Sequence, residues 1–297
     1  MRLFAGFVLI CLSLAASATP LSIGVSIAPQ KQFAEKIGGD RIKVTVMVPP
    51  GAAAETYSPT PRQLSEIAKA KVYFKVGFGF EAAFLDKLAA NCPDLEIVDC
   101  RHNLKLRRME NHSHEGVPCS GHDSPYDPHI WTAPRQVMIQ AETICRTLCR
   151  LDPAGRESYE KNLAAFQKEL DEVDRYITAK LAPYKGSSFY IYHPGFGYFG
   201  DDYGLKQVAL ELGGKKPSPK QLSWFLKQAK QENIKMIFIQ RQFSTSSAEA
   251  LAREIGAKVI VVDNLEEDFL TTVRQTADKI EAALKPAAVQ APKGHHP

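Results

Sequence analysis

From Pro153 to Leu181 the chain has no internal proline and, past Gly155, no glycine. Within that stretch Tyr159, Leu163, Phe166, Leu170, Val173, Ile177 and Leu181 recur at intervals of four and three. Residues so spaced fall on one side of a helix and form an apolar stripe. The spacing predicts one continuous helix, with Asp152 as its N-cap, Pro153 at its first position and "APYKG" at its end. About 28 residues at about 1.5 Å rise give a rod of roughly 42 Å. A rod of that length spans a whole domain, and its stripe can bury itself against two lobes at once.

The sequence on either side of the rod alternates. "LSIGVSIA" (Leu21–Ala28), "IKVTVMV" (Ile42–Val48), "VYFKVG" (Val72–Gly77) and "LEIVDC" (Leu95–Cys100) have the composition of strands. "SFYIYH" (Ser188–His193), "QVALEL" (Gln207–Leu212), "MIFIQ" (Met236–Gln240) and "VIVVD" (Val259–Asp263) repeat the style after the rod. Helical period marks the segments beginning "APRQVMIQ", "SPKQLSWF", "SSAEALAR" and "DFLTTVRQ". Apolar strands alternating with helices imply an α/β fold with largely parallel sheets. The expectation is two α/β lobes, residues 19–152 and 184–285, joined by a rigid linker helix at 153–183.

Two segments depart from that pattern. Residues 101–126 are polar and carry His102, His112, His114 and His122, which reads as a loop. Residues 286–297, "PAAVQAPKGHHP", read as a disordered tail holding His295 and His296.

At the N-terminus Arg2 precedes "LFAGFVLICLSLAA", an apolar run too short for a typical membrane span, and Ala16-Ser17-Ala18 follows in the A-x-A pattern. Residues 1–18 are therefore expected to be a signal peptide cleaved after Ala18, which makes the mature chain an exported, soluble protein of the periplasm or another extracytoplasmic space. The formal charge of +4 spread over 297 residues, with no basic run interleaved with aromatics, does not imply nucleic acid. Once Cys11 is removed, Cys92, Cys100, Cys119, Cys145 and Cys149 remain. Five is odd, so at least one thiol is unpaired within a monomer. Cys145 and Cys149 share a helix face as small buried hydrophobes, and a Cys92–Cys100 bridge is possible.

"YIYHPGFGYFG" poses the chemical question. Gly195, Gly197 and Gly200 have dinucleotide-turn spacing, but Pro194 precedes them and the acidic residue expected about 20 positions on is missing from "GKKPSPK". His193, at the end of an apolar strand, is the better candidate. "DSPYDPHIW" adds His129, stiffened by Pro128, with Asp127 placed to orient an imidazole. "VIVVDN" ends in Asp263, and "PPGAAAETYSPTP" places Glu55 just after a strand. Two imidazoles and two carboxylates, most of them at strand ends, make a four-ligand set for a divalent transition metal.

Four blocks in order, "GAAAETYSPTP", "DPHIW", "YHPGFGYFGDDYGL" and "IFIQRQFSTSSAEALAREIGAKVIVVDNL", resemble the zinc/manganese-type periplasmic substrate-binding proteins of bacterial metal ABC transporters, the ZnuA/TroA-like cluster A-I group. The resemblance covers essentially the whole mature chain. It implies a non-enzymatic protein, monomeric, that captures Zn(II) in a ligand cleft between the two lobes and delivers it to a cognate membrane permease, with Mn(II) or Fe(II) as the alternative cargo. It also implies His129 and His193 as imidazole ligands and Asp263 as a carboxylate ligand. Glu55 stands where the family usually has a histidine, and the harder oxygen donor shifts preference toward Mn(II) or Fe(II). The polar loop resembles the family's His-rich loop. Gln240 occupies a position where the family often has glutamate and is not expected to bind directly. Two other classes fit less well. A secreted metallohydrolase lacks its HExxH or GxSxG signature here. A binding lobe for an organic solute would use the two histidines as polar contacts.

Overall fold

Eight short runs rich in Val, Ile, Tyr and Phe pair into two sheets, because β-branched and aromatic side chains pack well on a pleated surface covered on both faces. The structure, a computed structural model, describes residues 19–109, 125–211, 217–243 and 245–285. In the first half, β1 (Leu21–Val25), α1 (Ala28–Gly38), β2 (Ile42–Val46), α2 (Pro61–Ile67), β3 (Val72–Lys75), α3 (Gly79–Asn91), β4 (Glu96–Asp99) and α4 (Pro134–Leu151) follow in order. After α5 (Arg156–Leu181) come β5 (Ser188–Ile191), α6 (Gly197–Tyr203), β6 (Lys206–Ala209), α7 (Pro219–Gln231), β7 (Met236–Gln240), α8 (Thr245–Ile255), β8 (Lys258–Val262) and α9 (Phe269–Leu284).

Both sheets are parallel and have the same order, β2-β1-β3-β4 and β6-β5-β7-β8. In each, the first strand is flanked by the second and third, which makes a switch point where connections leave in opposite directions. Open α/β sheets place ligands outside the carboxyl ends of strands at such points.

The long helix forms as the sequence implied, with one difference at its start. Tyr159, Phe166, Leu170, Val173, Ile177 and Leu181 are buried and Leu163 is half-buried. Short 3₁₀ turns at Pro153–Gly155 and Ala182–Tyr184 flank α5. Asp152 does not cap the helix. Its carboxylate instead accepts from Arg41 Nη2 at 2.6 Å and from the Tyr159 hydroxyl at 2.7 Å, binding α5 to the turn after α1. An arginine and a phenol outcompete the backbone amides for this carboxylate, since a charge-assisted bond is the stronger one.

The stripe of α5 packs against α1 and α4 on one side and α9 on the other. Phe33 of α1 marks the junction, 6.0 Å from the Phe166 ring and 5.2 Å edge-on from Phe269 of α9. One apolar cluster therefore runs from Ile23 through the α5 stripe to Ile280, and a smaller one lies under α7 and α8. Burying each large apolar side chain contributes about 1.5–3 kcal/mol, so the rod is held by packing on both lobes more than by helix propensity. Polar ties reinforce the junction: Lys36 of α1 with Glu169 of α5 at 2.7 Å, and Gln32 Oε1 of α1 accepting from the Phe269 amide of α9 at 3.0 Å. Among the described residues no helix is long and apolar enough to cross a membrane. The expected signal peptide, His112, His114, His122, Cys119 and the tail lie outside the described residues. Cys92 and Cys100 are free thiols, without the bridge the sequence allowed.

Candidate metal centre

The segment after β2 is pinned before it reaches Glu55. Gln63 Nε2 donates to Met47 O at 2.7 Å, and Gln63 Oε1 accepts from the Tyr57 hydroxyl and the Thr60 amide at 2.8 and 2.9 Å. Thr60 accepts from the Gln63 amide in return, a capping box that starts α2 at Pro61. Glu55 sits in a 3₁₀ turn at Ala54–Thr56, beside the buried Ala54.

His129 comes from the segment before α4. Its Nδ1 donates to Asp127 Oδ1 at 2.7 Å, and its amide donates to the same oxygen at 2.9 Å. Pro128 between them restricts the backbone of Asp127 and stiffens the segment. The other oxygen of Asp127 is 3.6 Å from Arg107 Nη1, and Arg107 also pairs with Asp201 of α6 at 3.0 Å. The neighbouring Trp131 donates its indole N–H to Asn264 O at 2.5 Å.

His193 lies two residues beyond β5, at the switch point of the second sheet. Its Nδ1 donates to Glu211 Oε2 at 2.5 Å, while its carbonyl accepts from Gln240 Nε2 at 2.8 Å. Phe243 stacks on the ring at 4.9 Å. The glycines that follow serve close approach between chain segments. A Cβ on Gly195 would lie 2.7 Å from Asn264 Nδ2, and one on Gly197 would lie 2.5 Å from Asp127 Oδ2. Neither position could carry a side chain without moving the partners of His129 or of Trp131.

Both histidines thus have Nδ1 committed to a buried carboxylate, which leaves Nε2 free to bind and fixes its direction. The three free donor atoms converge. Glu55 Oε1 is 3.1 Å from His129 Nε2 and 3.0 Å from His193 Nε2, and the two nitrogens are 3.2 Å apart. Among the described residues this is the one group of three or more His, Cys, Asp or Glu side chains close enough to hold an ion. Zinc takes imidazole nitrogen and carboxylate oxygen at about 2.0–2.2 Å, so two of its donors in tetrahedral geometry stand about 3.3 Å apart. The triangle is nearly that size already.

The centre is dry. His129 and His193 are buried, and Phe78, Trp131 and Phe243 surround their rings. Burial opposes charge on Glu55, yet the His193 charge and hydrogen bonds from both imidazoles hold its carboxyl well below the usual range. Burial likewise disfavours charge on the histidines. It is outweighed at His193 by Glu55 and Glu211, which raise that imidazole to about 10, and at His129 chiefly by Asp127. Contacts of 3.1 and 3.0 Å from the two Nε2 atoms to Glu55 Oε1 close the triangle.

Asp263 is not part of this group. Its Oδ1 accepts from Gln242 Nε2 at 2.8 Å and from the Leu265 amide at 2.9 Å, and Oδ2 faces Arg241 at 3.5 Å. The four-donor set expected from the resemblance thus has three members together, with the fourth carboxylate satisfied next door. Glu211 escaped the sequence reading. The signal was present, a carboxylate closing the apolar strand "QVALEL", the same pattern that drew attention to Asp263.

Chains of the same build are known. A crystal structure of a zinc-bound deletion mutant of ZnuA superposes with a TM-score of 0.82 and 38% identity, covering 91% of this chain and all of that one. The high-affinity zinc uptake system protein ZnuA of Bacillus subtilis is 27% identical over 258 residues, 83% of this chain and 79% of the relative. The zinc-binding protein AdcA of Streptococcus pyogenes is 26% identical over 276 residues, and the match spans 85% of this chain but only about half (54%) of AdcA. The family model described as "ZnuA: Zinc-uptake complex component A periplasmic" matches residues 23–283. The chain belongs to that family, the periplasmic A components of zinc-uptake complexes.

Proposed function

We propose that this protein is the extracytoplasmic substrate-binding component of a metal ABC transporter, capturing Zn(II) and passing it to a membrane permease. The observation that carries the reading is the triangle of Glu55, His129 and His193, whose donor atoms stand 3.0–3.2 Å apart with both imidazoles oriented by carboxylates. The zinc-binding names of its relatives support the same cargo. The ligands come from both halves of the chain, and both halves pack on α5, so small relative movements suffice to open the centre. Asp263 Oδ1 is taken up by Gln242 and Leu265, so Oδ2, which faces Arg241 at 3.5 Å, is the oxygen left for a fourth bond. The chain works as a monomer after export and removal of residues 1–18.

Mn(II) is the second reading, and Glu55 is what favours it, because an anionic oxygen in place of an imidazole suits a harder cation. Titration of the purified mature protein with Zn(II) and Mn(II) in competition tests both. Tight zinc binding is expected, weakened sharply by Glu55→Ala, His129→Ala or His193→Ala and less by Asp263→Ala. Unchanged affinity in the first three variants would refute the site.

A further inference from the structure

Cys145 and Cys149 lie one turn apart on α4, both buried, with their sulfurs 3.9 Å apart. They form one wall of a groove of ≈ 1040 Å³ between β4, α4 and the start of α5, also lined by His102, Glu142 and Glu160. No residue of the Glu55–His129–His193 centre lines this groove.

Two chemistries suit adjacent thiols, and geometry separates them. A disulfide needs Cβ atoms about 3.5–4.5 Å apart. Residues one helical turn apart hold theirs about 5–6 Å apart, so oxidation would have to compress a turn of α4, whose neighbours Ile144 and Leu148 are locked in the core. A tetrahedral metal needs no such movement. Two thiolates at about 2.3 Å from one ion stand about 3.8 Å apart, close to the spacing seen.

We infer that Cys145 and Cys149 form a second cation site, a bis-thiolate site for a thiophilic divalent ion of the Zn(II)/Cd(II) class, completed by a donor from the groove wall. Glu160 on the groove wall, whose charge acts on the Cys145 thiol, would complete the set by moving toward the sulfurs, since among the described residues no third donor stands within reach of both. It pairs with Arg156 at 3.4 Å, both side chains are more than half exposed, and such a pair costs little to break. Binding replaces two S–H bonds with two S–metal bonds and releases two protons, with no change in oxidation state. Burial pushes the Cys145 thiol up to about 12, so an ion must bind sulfur strongly to displace that proton. This favours Cd(II) over Zn(II), and higher pH strengthens both.

The test is Cd(II) titration of the reduced mature protein under anaerobic conditions, read by sulfur-to-metal charge-transfer absorption in the ultraviolet, with bound metal counted by elemental analysis. The intact protein is expected to bind a second Cd(II) that develops this band. Cys145→Ser/Cys149→Ser loses the band and that equivalent, while zinc binding at the Glu55–His129–His193 centre is unchanged. His129→Ala/His193→Ala keeps the band, which separates this site from the proposed transport site. Each single serine variant is expected to weaken the band's Cd(II) affinity at least tenfold, and circular dichroism checks folding. Absence of a band in the reduced, folded protein would overturn the inference. So would a band that survives in the double serine variant, or a Cys145–Cys149 disulfide in protein isolated from the exported compartment.

Discussion

His129 Nε2 and His193 Nε2 stand 3.2 Å apart although 64 positions separate them in sequence, one from the loop before α4 and the other from the switch point of the second sheet. Two imidazole nitrogens in contact, both with Nδ1 held by carboxylates, repel unless something positive lies between them. A proton shared between His193 and Glu55 does this when no cation is bound. A divalent cation does it better, and that exchange makes the centre's behaviour measurable.

Metal uptake should release protons. His193 stays protonated up to about pH 10 in the metal-free protein and must lose that proton to bind. Zinc affinity should therefore rise with pH through the neutral range, by about tenfold per unit for each proton expelled. Calorimetry in buffers of different ionisation enthalpy should show at least one proton released near pH 7. The stability of the metal-free protein should move the other way. The folded-state pKa of His193 lies above its unfolded value of about 6.5, so its contribution is complete below that pH and is lost as pH rises through about 10. Glu55 has the opposite sign: held below its usual value, it contributes above about pH 4.5 and that contribution is lost on acidification. The rise in melting temperature on adding zinc should thus grow from pH 6 to pH 9, as thermal melts can show.

The backing carboxylates should matter almost as much as the ligands. Glu211→Gln and Asp127→Asn keep the shape but remove the charge that orients and strengthens each imidazole. Removing such partners costs about 10–100-fold in metal affinity. Competition with a fluorescent chelator measures it, and an effect under about twofold would show that Nδ1 is held well enough by the surrounding aromatics.

Glu55→His should change selectivity. Replacing the anionic oxygen with a third imidazole softens the donor set, so the ratio of Zn(II) to Mn(II) affinity should increase, chiefly through loss of Mn(II) binding. Parallel titrations with the two ions give the ratio.

Phe33→Ala should separate stability from binding. The ring lies between Phe166 of α5 and Phe269 of α9 and touches no ligand. Truncating a buried phenylalanine costs about 3–5 kcal/mol. Chemical denaturation should report that loss, while zinc affinity changes by less than tenfold if α5 alone fixes the lobes.

The eight strands, the central rod and the segments carrying Glu55, His129 and His193 were all legible in the sequence, because apolar period and strand-end position are local signals. What escaped was set by tertiary register. Glu211 meets His193 because β5 and β6 pair Ile191 with Ala209, which brings the residues two places further on side by side; no spacing along the chain encodes that pairing. Asp152 and Asp263 were each placed by local pattern, as helix cap and as ligand. Asp152 is instead engaged by Arg41, and the Asp263 carboxylate accepts from Gln242, contacts whose approach depends on how elements pack.

The most direct measurement is anomalous diffraction at the zinc absorption edge from crystals of the zinc-loaded protein. The expected result is a peak about 2.0–2.2 Å from Glu55 Oε1, His129 Nε2 and His193 Nε2 together. A fully occupied peak elsewhere, with those three side chains still bonded only to one another, would contradict a shared centre built from both halves of the chain.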